Sequence, residues 1–297
     1  MVASFMKTIR QTLIILTETF RQNQILLPDR QAEDLLGDLL NCSRQKLYLN
    51  GSRYLSESEW ECCQDRLRKR LQGVPLQYLH GQVEFYDCLI KVNSHVLIPR
   101  PETEILVDKI VQTLKGKNLT DQVLCDLCCG SGCIGIALKK RFPNLKVVAS
   151  DLSFEATEMT KVNAKENQVQ ITVDQGDLFE SFKNQKMHYF VCNPPYISLK
   201  EYIALERDVL DYEPRQALLA GETGLEFYQR LAAQLPDYLF SFGRVWLEIG
   251  YDQGKAVKQL FQGSSWENQK VEKDWAGHDR FFSCQFRGSL KNPNASI

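Results

Sequence analysis

The sequence has no run of about 18 consecutive apolar residues, so no membrane-spanning helix is expected. The apolar stretch near its start, Leu13 to Leu16, is too short for a secretory signal core, and Glu18 follows it. The Arg-rich, acid-poor pattern of a mitochondrial presequence is met only weakly. A cytoplasmic location is therefore the expectation. An excess of charge is also missing: 36 Lys+Arg against 37 Asp+Glu leave a net charge of -1. Such a chain lacks the overall electrostatic footprint of a nucleic-acid binder, and no direct nucleic-acid partner is expected. Histidines number four, and His80, His95, His188 and His278 are scattered. No internal repeat and no low-complexity segment is visible.

Cysteine, by contrast, is plentiful, with ten among 297 residues. A chain of this length does not need disulfide staples, so reduced thiols are the expectation. Cys125, Cys128, Cys129 and Cys133 lie close together, with neither a second Cys pair nor a His cluster to accompany them. Buried small thiols account for them better than a metal or iron–sulfur site, and no metal is expected.

Residues from about 3 to 72 read as helices. Phe5, Ile9, Leu13 and Leu16 recur at spacings of three and four, as do Ala32, Leu35, Leu36, Leu39 and Leu40. Ser56 with Glu59 three residues on forms a helix-start signature, and Gly73 and Pro75 end that helix. Val83 to Val92 is strand-like. A Pro-broken connector then leads to a helix from Glu102 to about Leu114. From residue 122 strands and helices alternate. The expected strands are Val123–Leu127, Leu145–Ala149, Val169–Val173, His188–Cys192 and Val245–Ile249, with two more around Val271 and Phe281–Phe286. The expected helices are Cys133–Phe142, Phe154–Asn167, Leu225–Phe240 and Gln253–Phe261. That alternation implies an α/β protein with a mostly parallel sheet covered on both faces. Residues from Lys291 onward read as a frayed tail.

Asp126-Leu-Cys-Cys-Gly130-Ser-Gly132 joins the first strand of that sheet to its helix. Ligands bind at the carboxyl ends of such strands, and Gly130 and Gly132 let the backbone turn tightly beside one. Asp151 ends the next strand, where a carboxylate can accept from ribose hydroxyls. The run Gly130-Ser-Gly132-Cys-Ile-Gly135 also matches the dinucleotide fingerprint. An acid at the mouth of the loop, Asp126, suits a cationic sulfonium cofactor better than a pyrophosphate.

Asn193-Pro194-Pro195-Tyr196 directly follows the fourth strand. The two prolines stiffen the backbone and donate no hydrogen bonds, leaving the carbonyls of Asn193 and Pro194 as rigid acceptors. The Asn193 side-chain oxygen is a third acceptor, and Tyr196 offers an aromatic face. Together they suit an NH2 group on a planar system, such as an amide or an aminopurine. An amide nitrogen is a poor nucleophile, and acceptors on its hydrogens free its lone pair; positioning and electrostatics then carry methyl transfer.

These motifs resemble the HemK/PrmC family, the glutamine methyltransferases of peptide chain release factors. The resemblance runs through Pro75–Tyr78, Val83–Tyr86, Leu97–Thr103, Asp126–Gly132, Gly176–Phe179, Asn193–Ile197, Tyr212–Arg215, Leu247–Gly250 and Gly277–Arg280. It implies a seven-stranded Rossmann-like methyltransferase sheet whose last strand is antiparallel, preceded by a small helical domain. The implied divisions are 1–75 for substrate recognition, 76–100 as a linker with a short hairpin, and 101–290 for S-adenosylmethionine-dependent methyl transfer. It implies cofactor contacts from Asp126, Cys128, Cys129, Gly130, Ser131, Gly132, Asp151, Asp177, Leu178 and Asn193. Arg100, Pro101 and Glu102 would lie close to that pocket. Residues 193 to 196 would hold the substrate, with Asn193, Pro194 and Tyr196 catalytic. The implied substrate is the glutamine of the Gly-Gly-Gln motif of release factors. An amino methyltransferase of adenine in nucleic acid is the alternative, and a cofactor-binding adaptor without turnover is a third reading. Cys128 and Leu178 depart from the family, which commonly has Gly at the first position and in some members an aromatic at the second. Cys128 would be strained if its position needs a positive φ.

Overall fold

The computed structural model describes residues 7–182 and 185–288. Phe5 and the tail from Lys291 lie outside them. The chain forms two compact units. One holds the residues up to Gln82 together with Arg207–Tyr212; the other holds Val83–Glu206 and Glu213 onward.

The first unit is helical: α1 Ile9–Gln22, α2 Pro28–Leu39, α3 Arg44–Leu49, α4 Glu57–Leu71 and α5 Leu76–His80. Thr8 and Ser56 start α1 and α4, where orphan N–H groups need acceptors. At α4 the Glu59 N–H donates to Ser56 Oγ and Glu59 Oε2 accepts from the Ser56 N–H, completing a reciprocal cap. Gly73, at φ +102°, ends the run. Leu13, Leu16, Phe20, Leu35, Leu36 and Leu47 make the core of this unit. The sequence-based expectation leaves residues 197–224 without an element, and part of that stretch belongs here. Arg70, 9% exposed, donates from Nη1 to Asp208 Oδ2 at 2.9 Å and from Nε to Gln31 Oε1 at 2.8 Å. The Tyr212 hydroxyl donates to the Gln72 carbonyl at 2.8 Å. A buried guanidinium needs such partners, and here one comes from 138 residues further along the chain.

The second unit opens with a hairpin, β1 Gln82–Phe85 and β2 Cys88–Lys91, and continues through α6 Pro101–Leu114, β3 Val123–Leu127, α7 Cys133–Arg141, β4 Lys146–Asp151, α8 Phe154–Glu166, β5 Thr172–Gln175 and β6 Met187–Cys192. Two short pieces, β7 Ile197–Ser198 and β8 Leu219–Gly221, pair with each other, with helices α9 Leu199–Ile203, α10 Arg207–Tyr212 and α11 Arg215–Leu218 between them in sequence. The chain ends through α12 Glu226–Tyr238, β9 Leu239–Glu248, α13 Gly254–Leu260, β10 Trp266–Lys273 and β11 Asp279–Phe286. The large sheet has seven strands in the order β10-β11-β9-β6-β3-β4-β5. β3 pairs in parallel with β4 and β6, and only β11 runs against its neighbours. The seven-stranded sheet with an antiparallel last strand is therefore as expected.

Alternation along each strand sorts side chains between the faces. Cys125, Leu127, Phe190, Val245 and Leu247 pack in one cluster with Tyr228, Leu231 and Leu235 of α12 and Val257 of α13. Their alternates, including Asp126 and Glu248, turn to the face that carries α6, α7 and α8. Two strand starts differ from the sequence reading by three residues or more. β5 starts three residues later than expected because Gln168, at φ +56°, and Val169 close the end of α8: the Val169 N–H donates to the Ala164 carbonyl at 3.0 Å. β9 starts at Leu239, its early part disguised by a kink at Phe242, φ +66°. No described helix is long and apolar enough to cross a membrane.

Phe190 lies fully buried in the middle of β6, among side chains from both flanking strands and α12. Phe190→Ala is expected to lower unfolding free energy by about 3–5 kcal/mol, measured by denaturant titration. A loss under about 1 kcal/mol would contradict this assignment of the core.

Candidate functional site

The order of strands puts β3 and β6 side by side while the chain leaves them in opposite directions across the sheet, so a crevice opens beyond their carboxyl ends. A cavity of about 280 Å³ lies there. Cys128, Gly130, Asp151, Asp177, Leu178, Asn193 and Pro195 line it, so the structure brings both motifs to one place.

The loop after β3 is bent by three residues in the left-handed region: Cys128 at φ +54°, Gly130 at +54° and Gly132 at +78°. Two of them illustrate different needs. A Cβ on Gly130 would meet nothing within 4 Å, so glycine there serves conformation. A Cβ on Gly132 would stand 2.6 Å from Thr160 Cγ2, so glycine there also serves packing. Asp151 Oδ2 accepts from the Gly130 N–H at 2.9 Å, and Oδ1 accepts from the Ser153 N–H at 3.0 Å. Burial raises the Asp151 pKa, while those backbone donors hold it down. From α8, Asn163 donates to the Ser131 carbonyl at 2.9 Å and to the Lys91 carbonyl at 3.0 Å. It clamps the loop against the hairpin.

Asp126 corrects one expectation, because it does not stand at the mouth of the loop. It is 1% exposed and points away from the cavity wall formed by its neighbours Leu127 and Cys128. Strand alternation explains this: Leu127 faces the α12 side, so Asp126 faces α7, where Oδ2 accepts from the Gly135 N–H at 2.8 Å. Its other oxygen has no partner among the described residues, and burial lifts the carboxyl to about 7. Cys129, Ser131 and Gly132 also turn into the packing beneath the loop. Cys129 Sγ lies 3.5 Å from Thr160 Oγ1, and Ser131 is 3% exposed. All ten cysteines are free thiols.

On the far side, Asp177 pairs with Arg230 at 2.7 Å at the cavity rim. Leu178 is buried at φ +51° and, with Phe227, gives an apolar wall. Arg100, Pro101 and Glu102 do not line the cavity. Instead, Arg100 Nη2 donates to Glu213 Oε1 at 2.5 Å, and that buried carboxylate also accepts from the Ile98 N–H at 3.5 Å. The pair ties the Ile98–Thr103 segment to the Glu213–Ala217 segment, whose Pro214, Gln216 and Ala217 line the cavity.

Asn193 stands at the end of β6. Pro194 and Pro195 after it are buried, and the Tyr196 carbonyl accepts from Gln253 Nε2 at 2.8 Å. Burial raises the Tyr196 hydroxyl pKa, so the ring remains neutral and packs against the core. Asn193 Nδ2 donates to Thr103 Oγ1 at 3.4 Å, and the Thr103 hydroxyl donates to Glu248 Oε2 at 2.7 Å. The sequence reading passed over Thr103, Asn163 and Glu248. A signal existed for Glu248: an acid inside the apolar strand Val245–Ile249 must be buried with partners.

The cavity offers a carboxylate at the end of β4, a Cβ-free backbone at Gly130 and an apolar wall at Leu178 and Phe227. Those features suit a nucleoside-bearing cofactor, and the Asn193 side suits a planar NH2 group. Fold and site define a methyltransferase of the seven-stranded class. A model described as Methyltransferase small domain matches residues 101–210, and one described as PrmC N-terminal domain matches residues 11–81. The Release factor glutamine methyltransferase of Chlamydia trachomatis serovar L2 is 42% identical over 258 residues, covering 87% of each chain. That of Leptospira interrogans is 39% identical over 277 residues, covering 91% of this chain and 96% of its own. The chain belongs to the release factor glutamine methyltransferase family. In structure, the hMettl16 catalytic domain solved with a MAT2A 3'UTR hairpin shares the fold at a TM-score of 0.50 and 15% identity, over 79% of this chain and 84% of that one.

Cys128 holds a conformation that costs a side-chain-bearing residue about 1–2 kcal/mol. Cys128→Gly removes that cost but adds about 0.5–1 kcal/mol of chain entropy to the unfolded state. A net stabilisation of up to about 1.5 kcal/mol is expected, read as a rise in melting temperature. A clear fall would show that the Cys128 thiol packs too well to lose.

Proposed function

We propose that this chain transfers the methyl group of S-adenosylmethionine to the side-chain amide nitrogen of a glutamine in a peptide chain release factor, the glutamine of its Gly-Gly-Gln motif. The observation that carries the reading is the position of Asn193-Pro-Pro-Tyr196 at the end of β6, on the cavity that also holds Asp151 at the end of β4. Family membership supports the choice of a protein amide over adenine, and the near-neutral charge of the chain agrees with it.

Asp151 would bind the ribose hydroxyls, the Cys128–Gly130 backbone the amino-acid end, and Leu178 with Asp177 the base. S-adenosylmethionine supplies an electrophilic methyl group on a sulfonium. The chain's own residues do the rest. Asn193 Oδ1 and the Pro194 carbonyl accept from the two hydrogens of the substrate amide, which draws its nitrogen toward a tetrahedral form. Tyr196 backs the amide plane. No base has to remove a proton first, because the nitrogen loses it after transfer. Rate comes from alignment and preorganised acceptors. Residues 1–75 recognise the release factor, 76–100 are a linker that carries the short hairpin, and 101–290 perform the chemistry.

Asn193→Ala should keep the fold and lower the rate of methyl transfer by a factor on the order of 100 or more, read by mass spectrometry of release factor in single turnover. A wild-type rate, with chemistry limiting, would place the amide elsewhere. Asp151→Ala should instead weaken S-adenosylmethionine binding by about 1.5–3 kcal/mol in calorimetry, through loss of a charged acceptor. Unchanged affinity would remove Asp151 from the cofactor site.

A further inference from the structure

Glu248 is unexplained by the roles given so far. It ends β9, is 1% exposed, and reaches neither the cavity nor solvent. A carboxylate in such a place is costly unless it fixes something. Its neighbour is Thr103, 2% exposed on the first turn of α6, and beyond Thr103 lies Asn193.

We propose that Glu248 is a positioning residue for methyl transfer: acting through Thr103, it sets which way round the Asn193 amide sits and so keeps Oδ1 turned to the substrate. The inference rests on the reading of Asn193 as acceptor for the substrate amide. A hydroxyl has one proton to donate. Thr103 donates it to Glu248 Oε2 at 2.7 Å. Thr103 can then only accept from its other neighbour, and it accepts from Asn193 Nδ2 at 3.4 Å. An amide has its NH2 and its oxygen on opposite sides. With the NH2 anchored on the α6 side, Oδ1 is directed away from Thr103, on a residue that lines the cavity. The Asn193 amide itself helps hold the carboxylate charged, which gives the same polarity by a second route.

The device works only while Glu248 is purely an acceptor. Several groups act on its charge. Burial opposes it most, Arg280 from β11 favours it, and Glu102 on α6 disfavours it. Arg280 is itself held by Asp274 at 3.4 Å, and the Tyr196 and Tyr228 hydroxyls and the Cys133 thiol lie within reach of the Glu248 field. The balance lifts the carboxyl to about 7. Below that pH a protonated Glu248 can donate to Thr103. The Thr103 hydroxyl is then free to donate toward Asn193, and the amide loses its fixed sense. Activity should therefore rise with pH through about 7.

Single-turnover methylation of release factor by the full chain, from pH 6 to 8.5, tests this. The expected result has three parts. Wild type shows a limb rising through about pH 7. Glu248→Gln is flat, since its amide does not ionise there. Thr103→Val loses about 10–100-fold in rate, while Thr103→Ser restores both rate and limb. Cofactor affinity should stay within about twofold throughout, because no cofactor contact changes. A limb that persists in Glu248→Gln overturns the proposal and assigns the titration to another group, Asp126 being the candidate. So does a Thr103→Val enzyme at wild-type rate while Asn193→Ala is impaired. If Asn193→Ala itself keeps the wild-type rate, the acceptor reading fails and takes this inference with it. Melting curves for each variant separate loss of fold from loss of orientation.

Discussion

Two carboxylates, Asp126 and Glu248, are buried on the same face of one sheet, and much of the site follows from their need for donors. Leaving a buried carboxylate without partners costs several kcal/mol. Asp126 takes the Gly135 N–H of α7, which draws the start of that helix onto β3 and forces the intervening loop into a tight bend. Glu248 takes the Thr103 hydroxyl of α6, which brings the first turn of that helix against the end of β9, next to Asn193. One acid thus shapes the loop after β3 and the other the surroundings of Asn193. The two helices pack against each other, so neither anchor shifts alone.

Around the cavity the backbone is not relaxed. Cys128 and Leu178 both line it, and both hold a positive φ that side-chain-bearing residues rarely adopt. Strain of this sort persists only where surrounding bonds over-determine the conformation. Asn163 and Asp151 do that for the loop, with bonds to Ser131 and Gly130. The reward is a wall of backbone along the cavity. The Arg100–Glu213 pair plays the same part for the segments that line the cavity from the other side.

The helical unit depends on a different polar contact. Its core is ordinary aliphatic packing, yet Arg70 is buried in it and finds its anion on Asp208, in a segment that arrives after Asn193–Tyr196. The chain therefore leaves the sheet unit just past Asn193–Tyr196, contributes α10 to the helical unit, and returns at Glu213. The covalent path itself joins the segment that follows Asn193–Tyr196 to the helical unit.

The sequence by itself determined the class of fold. Strand and helix periods depend on spacing along the chain, so the alternation after residue 122, the Gly130–Gly132 loop, Asp151 and Asn193–Tyr196 were all legible, as was the cap at Ser56. It also announced its departure at Cys128, whose positive φ the structure bears out. What only the tertiary structure decided were facts of direction and partnership. Asp126 faces away from the ligand side because strand alternation and the α12 packing of Leu127 leave it no other face. Arg70 with Asp208, Arg100 with Glu213, and Thr103 with Glu248 join residues more than 100 positions apart, and no local pattern encodes such a pairing. Residues 197–224 gave no period because their short pieces are held by two different units rather than by one face of a helix or strand.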